Sequence, residues 1–234
     1  MAKSTLVIVG PGGIGKSPID GLVRRDVVRL DPYRLRLGGP RDSGDRLYAP
    51  PKIREEIAGV LGRFGDTAIV KKAGGETVEW YSKAGVVFFT VRGEWQCIVV
   101  PSDTGTLAKL EIYAPVLPTL LTIPEFVAAL GNVSIVVLNP APVALSLMKD
   151  WTDIKQRTWQ NCKKRGDTDE SAEKRAKSVT SEAPYWRELV GKHGAVEAVN
   201  WRFPEFVYKE SPASLQQAKK HLLELDGTLG LFFQ

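Results

Sequence analysis

Two hydrophobic periodicities run through this chain, and the places where one gives way to the other divide it into parts. Thr5 to Val9 is an unbroken apolar run, the pattern of a parallel strand buried on both faces. A helix is expected from about Lys16, with Ile19 to Val23 as its amphipathic stretch, and Val27 to Asp31 reads as a second strand closed by the turn entry Asp31-Pro32. Strand, loop, helix and strand predict a right-handed crossover. From Pro32 to about Glu94 Gly and Pro punctuate the sequence. One helical stretch (Ile53 to Phe64) and short β-rich pieces at Thr67 to Val70, Thr77 to Tyr81 and Val86 to Val91 suggest an inserted subdomain.

The doubly wound pattern is expected to resume with strands at Cys97 to Val100 and Leu107 to Tyr113, a short helix from Pro124 to Leu130, and a central strand from Val133 to Leu138. After Asn139-Pro140 a long helix is predicted, with Ala144, Leu147, Met148, Trp151 and Ile154 on its core face. A further helix starts at Glu170 or Ser171, capped by Thr168 or Asp169. Phe206 to Tyr208 resembles a last short strand, and Ser211-Pro212 opens a helix burying Leu215, Ala218, Leu222 and Leu225. The fold class is therefore α/β. A doubly wound parallel core takes residues 1–31 and 95–234, and a β-rich insert takes 32–94.

Gly10-Pro11-Gly12-Gly13-Ile14-Gly15-Lys16-Ser17 follows the first strand directly and completes a GxxxxGKS phosphate-binding pattern. Its glycines let successive backbone amides turn around an anion, Lys16 can reach outer phosphates, and the Ser17 hydroxyl can ligate magnesium. Pro18 falls in the first turn of the expected helix, where a missing N–H costs little. The alternative is a Gly-rich hairpin turn, which would need neither the lysine nor the serine.

Composition narrows the picture. A chain of 234 residues with 43% apolar content can bury one substantial core. The sequence enters a strand almost at once without a signal-peptide pattern, and no apolar run is long enough to span a bilayer, so a cytoplasmic protein is expected. Cys97 and Cys162 lack metal-ligand spacing and read as buried or idle thiols, and His193 and His221 as surface or packing residues. The net charge of +5 is unevenly spread: Val23 to Arg41 holds six arginines against two aspartates, and Lys155 to Lys177 eight basic residues against four acidic ones. Beside a phosphate loop, two such clusters fit the clamping of two phosphorylated small molecules better than nucleic acid. Solvated helical faces are the plain alternative for each residue.

Read in order, the chain resembles guanylate kinase and its nucleoside-monophosphate kinase relatives over most of its length. Lys164-Arg165-Gly166-Asp167-Thr168-Asp169-Glu170-Ser171, with Arg175 ten residues beyond Arg165, is similar to the family's Arg-Gly-x-Asp turn and following helix, which form the lid over ATP. Arg34, Arg36, Pro40, Arg41 and Tyr48 look like the arginine- and tyrosine-bearing segment that holds the acceptor's phosphate. Val78-Glu79-Trp80-Tyr81 is similar to a segment whose glutamate reads guanine, and Leu110-Glu111-Ile112 to a strand end near acceptor and metal, with glutamate in place of aspartate. The family's Tyr-Gly-Thr turn has no counterpart between Phe88 and Arg92, and its terminal Val-Asn-Asp is replaced by Tyr208-Lys209-Glu210, which marks a divergent member.

The resemblance implies a P-loop kinase fold with a helical lid at about 157–178 and ATP-dependent phosphoryl transfer to a nucleoside monophosphate, GMP-like or modified, or a similar small phosphorylated acceptor. Gly10, Gly12, Gly13, Ile14, Gly15, Lys16 and Ser17 would hold ATP, with Mg2+ on Ser17. Lys16, Arg165 and Arg175 would be catalytic, and Arg34, Arg41, Tyr48, Glu79 and Glu111 would hold the acceptor. Glu111 reads equally well as a solvent-facing strand-end carboxylate, Glu79 as an ordinary exposed strand residue, and Trp80 and Tyr81 as core. The rivals are a P-loop kinase of a non-nucleotide small molecule, a non-catalytic binding module of guanylate-kinase type, and a nucleic-acid-linked ATPase. Against the last, no acidic pair follows an apolar strand to position an attacking water.

Overall fold

A computed structural model describes residues 4–35, 49, 51, 69–73, 76–91, 94–103, 105–111, 116–201 and 212–234. The expected helix at 53–64, the strand at 206–208, and Arg36, Pro40, Arg41, Tyr48 and Tyr208-Lys209-Glu210 lie outside the described residues. Among the described residues ten strands form two sheets: β1 Ser4–Val9, β2 Val28–Leu30, β3 Tyr33–Arg34, β4 Ile69–Ala73, β5 Glu76–Lys83, β6 Val86–Val91, β7 Glu94–Val99, β8 Leu107–Glu111, β9 Asn132–Leu138 and β10 Val196–Ala198. The α-helices among the described residues are α1 Val116–Leu120, α2 Pro124–Ala129, α3 Thr152–Lys164, α4 Asp169–Lys192 and α5 Pro212–Leu225.

Five strands make an all-parallel sheet in the order β10-β9-β1-β8-β2. β1 is central and buried on both faces, as its unbroken apolar run requires. Leu6 and Ile8 pack with Ile14, Ile19, Trp201 and Leu222 on one side. Val7 and Val9 pack with Leu110, Phe126, Val179 and Trp186 on the other. The chain leaves β1 toward β2 on one flank and leaves β9 toward β10 on the opposite flank. The carboxyl ends of β1 and β9 therefore form a topological switch point, where open α/β sheets characteristically hold ligands.

The other five strands form an antiparallel sheet, β3-β7-β6-β5-β4. It shares a core with the parallel sheet: Trp80, Val87, Phe89 and Ile98 join the same apolar cluster, and Trp80 meets Phe126 of α2 edge-on at 5.4 Å. Its opposite face carries Tyr81, Val86, Phe88 and Cys97.

Three expectations are corrected, and one strand was not anticipated. The strand anticipated at Cys97 to Val100 in the parallel sheet pairs antiparallel with β6, Phe88 opposite Cys97, so the antiparallel part extends past residue 94 to Val99. A short β6–β7 connection allows hairpin pairing, whereas a parallel neighbour would need a long crossover. In place of a helix from Lys16, a 3₁₀ helix spans Ser17–Leu22, with Pro18 in its first turn. Pro18 lacks the N–H, and the bond from Ile19 N to Lys16 O, at 3.2 Å, is of the tighter i to i+3 kind. The long helix predicted after Asn139-Pro140 begins only at Thr152. A 3₁₀ turn at Leu145–Leu147 precedes it, and Leu147 is 74% exposed, not core. Pro140 and Pro142 explain the delay, since each removes a donor and biases the residue before it away from helix. β10 was not anticipated, because three residues are too few to show a period.

Among the described residues, no helix is long and apolar enough to cross a membrane. Burial pushes the Cys97 thiol up to about 12, and both cysteines are buried.

Candidate phosphate-binding site

The Gly10 to Ser17 loop leaves β1 at the switch point, and its shape follows from where its carbonyls go. Lys16 folds back so that its Nζ donates to the carbonyls of Gly10 and Pro11, each at 2.7 Å, which holds a buried ammonium inside the curve of the loop. The indole Nε1 of Trp201, just beyond β10, donates to the Ile14 carbonyl at 3.0 Å. Because a trans peptide sets C=O and N–H in opposite directions, drawing that carbonyl toward the core turns the Gly15 amide outward. Gly13 and Gly15 take φ values of +74° and +84°, which side-chain-bearing residues rarely adopt. The amides of Gly12, Gly13, Ile14 and Gly15 have no acceptor among the described residues. Unbonded amides on successive residues beside a lysine are what an anion-binding nest requires.

The helical hairpin α3–α4 closes one side of the loop. A Cβ on Gly13 would lie 2.9 Å from Cys162 Sγ of α3, and one on Gly12 would lie 3.2 Å from Arg175 Nη1 of α4. The hairpin turn is set by local sequence. The Gly166 amide bonds the Lys163 carbonyl at 2.9 Å and the Asp167 amide bonds the Cys162 carbonyl at 3.0 Å, with Gly166 at φ +90°. This is a Schellman ending for α3. Thr168 then caps α4, its Oγ1 accepting from the Ser171 amide at 3.3 Å, as one of the two expected caps. The two arginines expected in the lid thus share one carboxylate, and Arg175 lies beside Gly12. Arg165 makes a two-pronged contact with Asp167, and Arg175 Nε lies 3.2 Å from the same carboxylate. The Arg165 hydrogen bonds hold the Asp167 carboxyl below the usual range.

Further parts of the site had no role assigned to them from the sequence. Glu182 lies seven residues beyond Arg175, two helical turns on and on the same face of α4. Burial pushes its carboxyl up, opposed by Ser178 and by the nearby Lys16 ammonium. Asn139, fully buried at the end of β9, donates to Val143 O at 2.9 Å and to Glu197 Oε1 at 2.7 Å, and its carbonyl accepts from Trp201 N at 2.9 Å. It ties the segments after β9 and β10 beneath the loop. Lys109, buried in β8, bonds Asp20 of the 3₁₀ helix, which also meets Arg29 at 3.3 Å, so ion pairs fasten that short helix to β8 and β2. None of these had a motif to reveal it. Each depends on residues far apart in sequence.

The proposed acceptor residues are spread more widely. Arg34 is half-buried in β3 opposite Gln96, and strand alternation puts it on the sheet face of Trp80 and Phe89. Glu79 falls on the other face, with Tyr81, and its amide donates to Thr90 Oγ1 at 3.3 Å. The structure therefore does not bring Arg34 and Glu79 to one face. Trp80 and Tyr81 are core residues, the latter stacked on Phe88 at 4.7 Å. Glu111 ends β8 in register with Ile8, two residues before Gly10, which places its backbone at the rim of the loop. Of the basic cluster at 23–41, Arg24 pairs with Asp26, and Arg29 with Asp20 and Asp31. His221 packs its ring 5.7 Å from Trp201.

Among the described residues, no three His, Cys, Asp or Glu side chains could hold a metal ion between them. A magnesium ion here would have to arrive with phosphate oxygens and keep several waters, which is its usual habit. No protein-family model matches the chain, and no curated protein matches it. Function has to be read from the site itself.

Proposed function

We propose that the protein is a P-loop phosphotransferase. It takes ATP with magnesium on the Gly10 to Ser17 loop and passes the terminal phosphoryl group to a small phosphorylated acceptor of the nucleoside-monophosphate class. The observation that carries this reading is the meeting of two independent elements: unbonded loop amides around Lys16, and Arg165 with Arg175 on the hairpin beside Gly12 and Gly13.

Phosphoryl transfer asks mainly for alignment and for neutralisation of charge on the group in flight. The amides of Gly12, Gly13, Ile14 and Gly15 hold the donor's phosphates, Lys16 reaches their outer oxygens, and Arg175 and Arg165 offer guanidinium donors from the opposite side. Ser17 and the phosphate oxygens would hold magnesium, which supplies further neutralisation of phosphate charge. Arg34 is the described residue assigned to the acceptor's phosphate.

A second reading keeps the same chemistry and changes the acceptor. Glu79 lies on the sheet face opposite Arg34, which favours an acceptor whose base, if it has one, is not read by that glutamate. A phosphorylated small molecule of another kind then fits as well as GMP. A non-catalytic binding module would have no use for Lys16 and the paired arginines.

The test is ADP release from magnesium ATP with each ribo- and deoxynucleoside monophosphate in turn, then with phosphorylated sugars, beside a control without acceptor. A response to one acceptor class is the expected result. ATP binding without transfer to any member would turn the reading toward an acceptor lacking phosphate, and failure to bind ATP would overturn it.

A further inference from the structure

Two guanidinium groups side by side repel each other, and both Arg165 and Arg175 sit on long side chains with many rotamers. Asp167 counters both problems. Its carboxylate receives Arg165 Nε at 3.1 Å and Nη2 at 2.5 Å, and its Oδ2 lies 3.2 Å from Arg175 Nε. The carboxylate is the inner member of the cluster: the Asp167 side chain is 16% exposed, against 38% for Arg165 and 44% for Arg175.

Asp167 is itself fixed by the backbone. Its amide bonds the Cys162 carbonyl at 3.0 Å in the α3 ending, and its carbonyl accepts from Lys163 Nζ at 3.2 Å. Cys162 in turn packs against Gly13. A rigid strut thus runs from the glycine loop through the Cys162 peptide to the carboxylate. With Nε of Arg175 facing Asp167, Nη1 lies beside Gly12 together with Cδ and Cγ of the same side chain. Planarity makes this a directional device, because fixing one edge of a guanidinium aims the other.

We propose that Asp167 is the positioning residue of the transfer site, aiming Arg165 and Arg175 at the phosphates held by the loop. The proposal rests on the phosphotransferase reading for its kinetic consequence, though not for the coupling between the three side chains. Ion pairs this exposed add little stability, so the main effect belongs in the direction of the arginines, not in the fold. Ground-state binding tolerates misdirected arginines, whereas the transition state does not.

The experiment compares wild type, Asp167→Asn, Arg165→Ala/Arg175→Ala and the triple variant. It measures turnover with the best acceptor, magnesium ATP affinity by calorimetry, and melting temperature. Asp167→Asn should lower kcat on the order of tenfold or more, bind ATP more tightly as the arginines lose a competing anion, and melt close to wild type. In the background lacking both arginines it should change kcat and ATP affinity little, since it acts through them. An equal effect with and without the arginines would overturn the proposal, as would loss of ATP binding together with lowered melting temperature. Should wild type transfer to no acceptor, the kinase reading fails separately. The same cycle in ATP affinity then decides Asp167: tightening that needs the arginines supports the strut, and tightening without them, or none, sinks it.

Discussion

The glycine loop and the antiparallel sheet both contribute residues that the sequence marks as ligand-binding, yet they are organised in opposite ways. At the loop, the groups proposed to bind are mostly backbone, and the path of that backbone is set by φ angles and by where three carbonyls bond. On the sheet they are side chains of successive strands, where a shift of one position moves a residue to the other face. Consecutive spacing therefore keeps the marked groups together at the loop, whereas at the sheet it divides them between two faces.

The sharpest way to break this contrast is at the lysine. Lys16→Ala should abolish transfer while far-UV circular dichroism stays that of the wild type, because the side chain lies at the site and not in either apolar cluster. Retained turnover would remove the loop from the chemistry. Next in size is Arg175→Ala, for which a loss of about a thousandfold in kcat is expected, as for other arginines that meet a transferring phosphoryl group. Its melting temperature should barely move, since the residue is exposed and its ion pair adds little. Equal losses in rate and stability would mark a structural arginine.

The acceptor side gives a smaller but more discriminating result. Arg34→Ala should raise the acceptor's KM by about tenfold or more with little change for ATP, whereas Glu79→Gln should leave both constants near wild type. If both substitutions raise the acceptor's KM alike, the two residues serve one ligand despite their opposite faces, and the contrast between loop and sheet collapses.

Much of the parallel sheet was legible because burial on both faces writes an unbroken apolar run, as in Thr5 to Val9 and Ile135 to Leu138. The hairpin turn was legible for a different reason. Gly166 and Thr168 act through neighbours a few residues away, so spacing and chemistry coincide. What escaped was non-local or short. The pairing of Cys97 with Phe88 is a matter of which strand lies beside which, and β10 has only three residues. Pro18, Pro140 and Pro142 shortened or delayed helices that the apolar pattern alone would have started. Trp201 and Asp167 carried no motif of their own: one holds the loop from beyond the last parallel strand, and the other was hidden inside a motif credited to its arginines.

Glu182 offers the finest test, because it joins the loop to α4 through charge. Burial raises its carboxyl above the usual range, so the folded protein holds that proton more tightly than the unfolded chain does. Between the unfolded and the folded value the native state carries more protons, and stability must fall as pH rises through that window. Glu182→Gln removes the titration. The variant and wild type should therefore melt alike in acid, below the ordinary carboxyl range. The variant should become the more stable of the two as pH rises to neutrality, as followed by thermal melts across that range. Lys16 pulls the other way, favouring the charged carboxylate. In a Lys16→Ala background the stabilising effect of Glu182→Gln at neutral pH should accordingly grow, and a gap that is unchanged there would show that the ammonium does not act on this carboxylate.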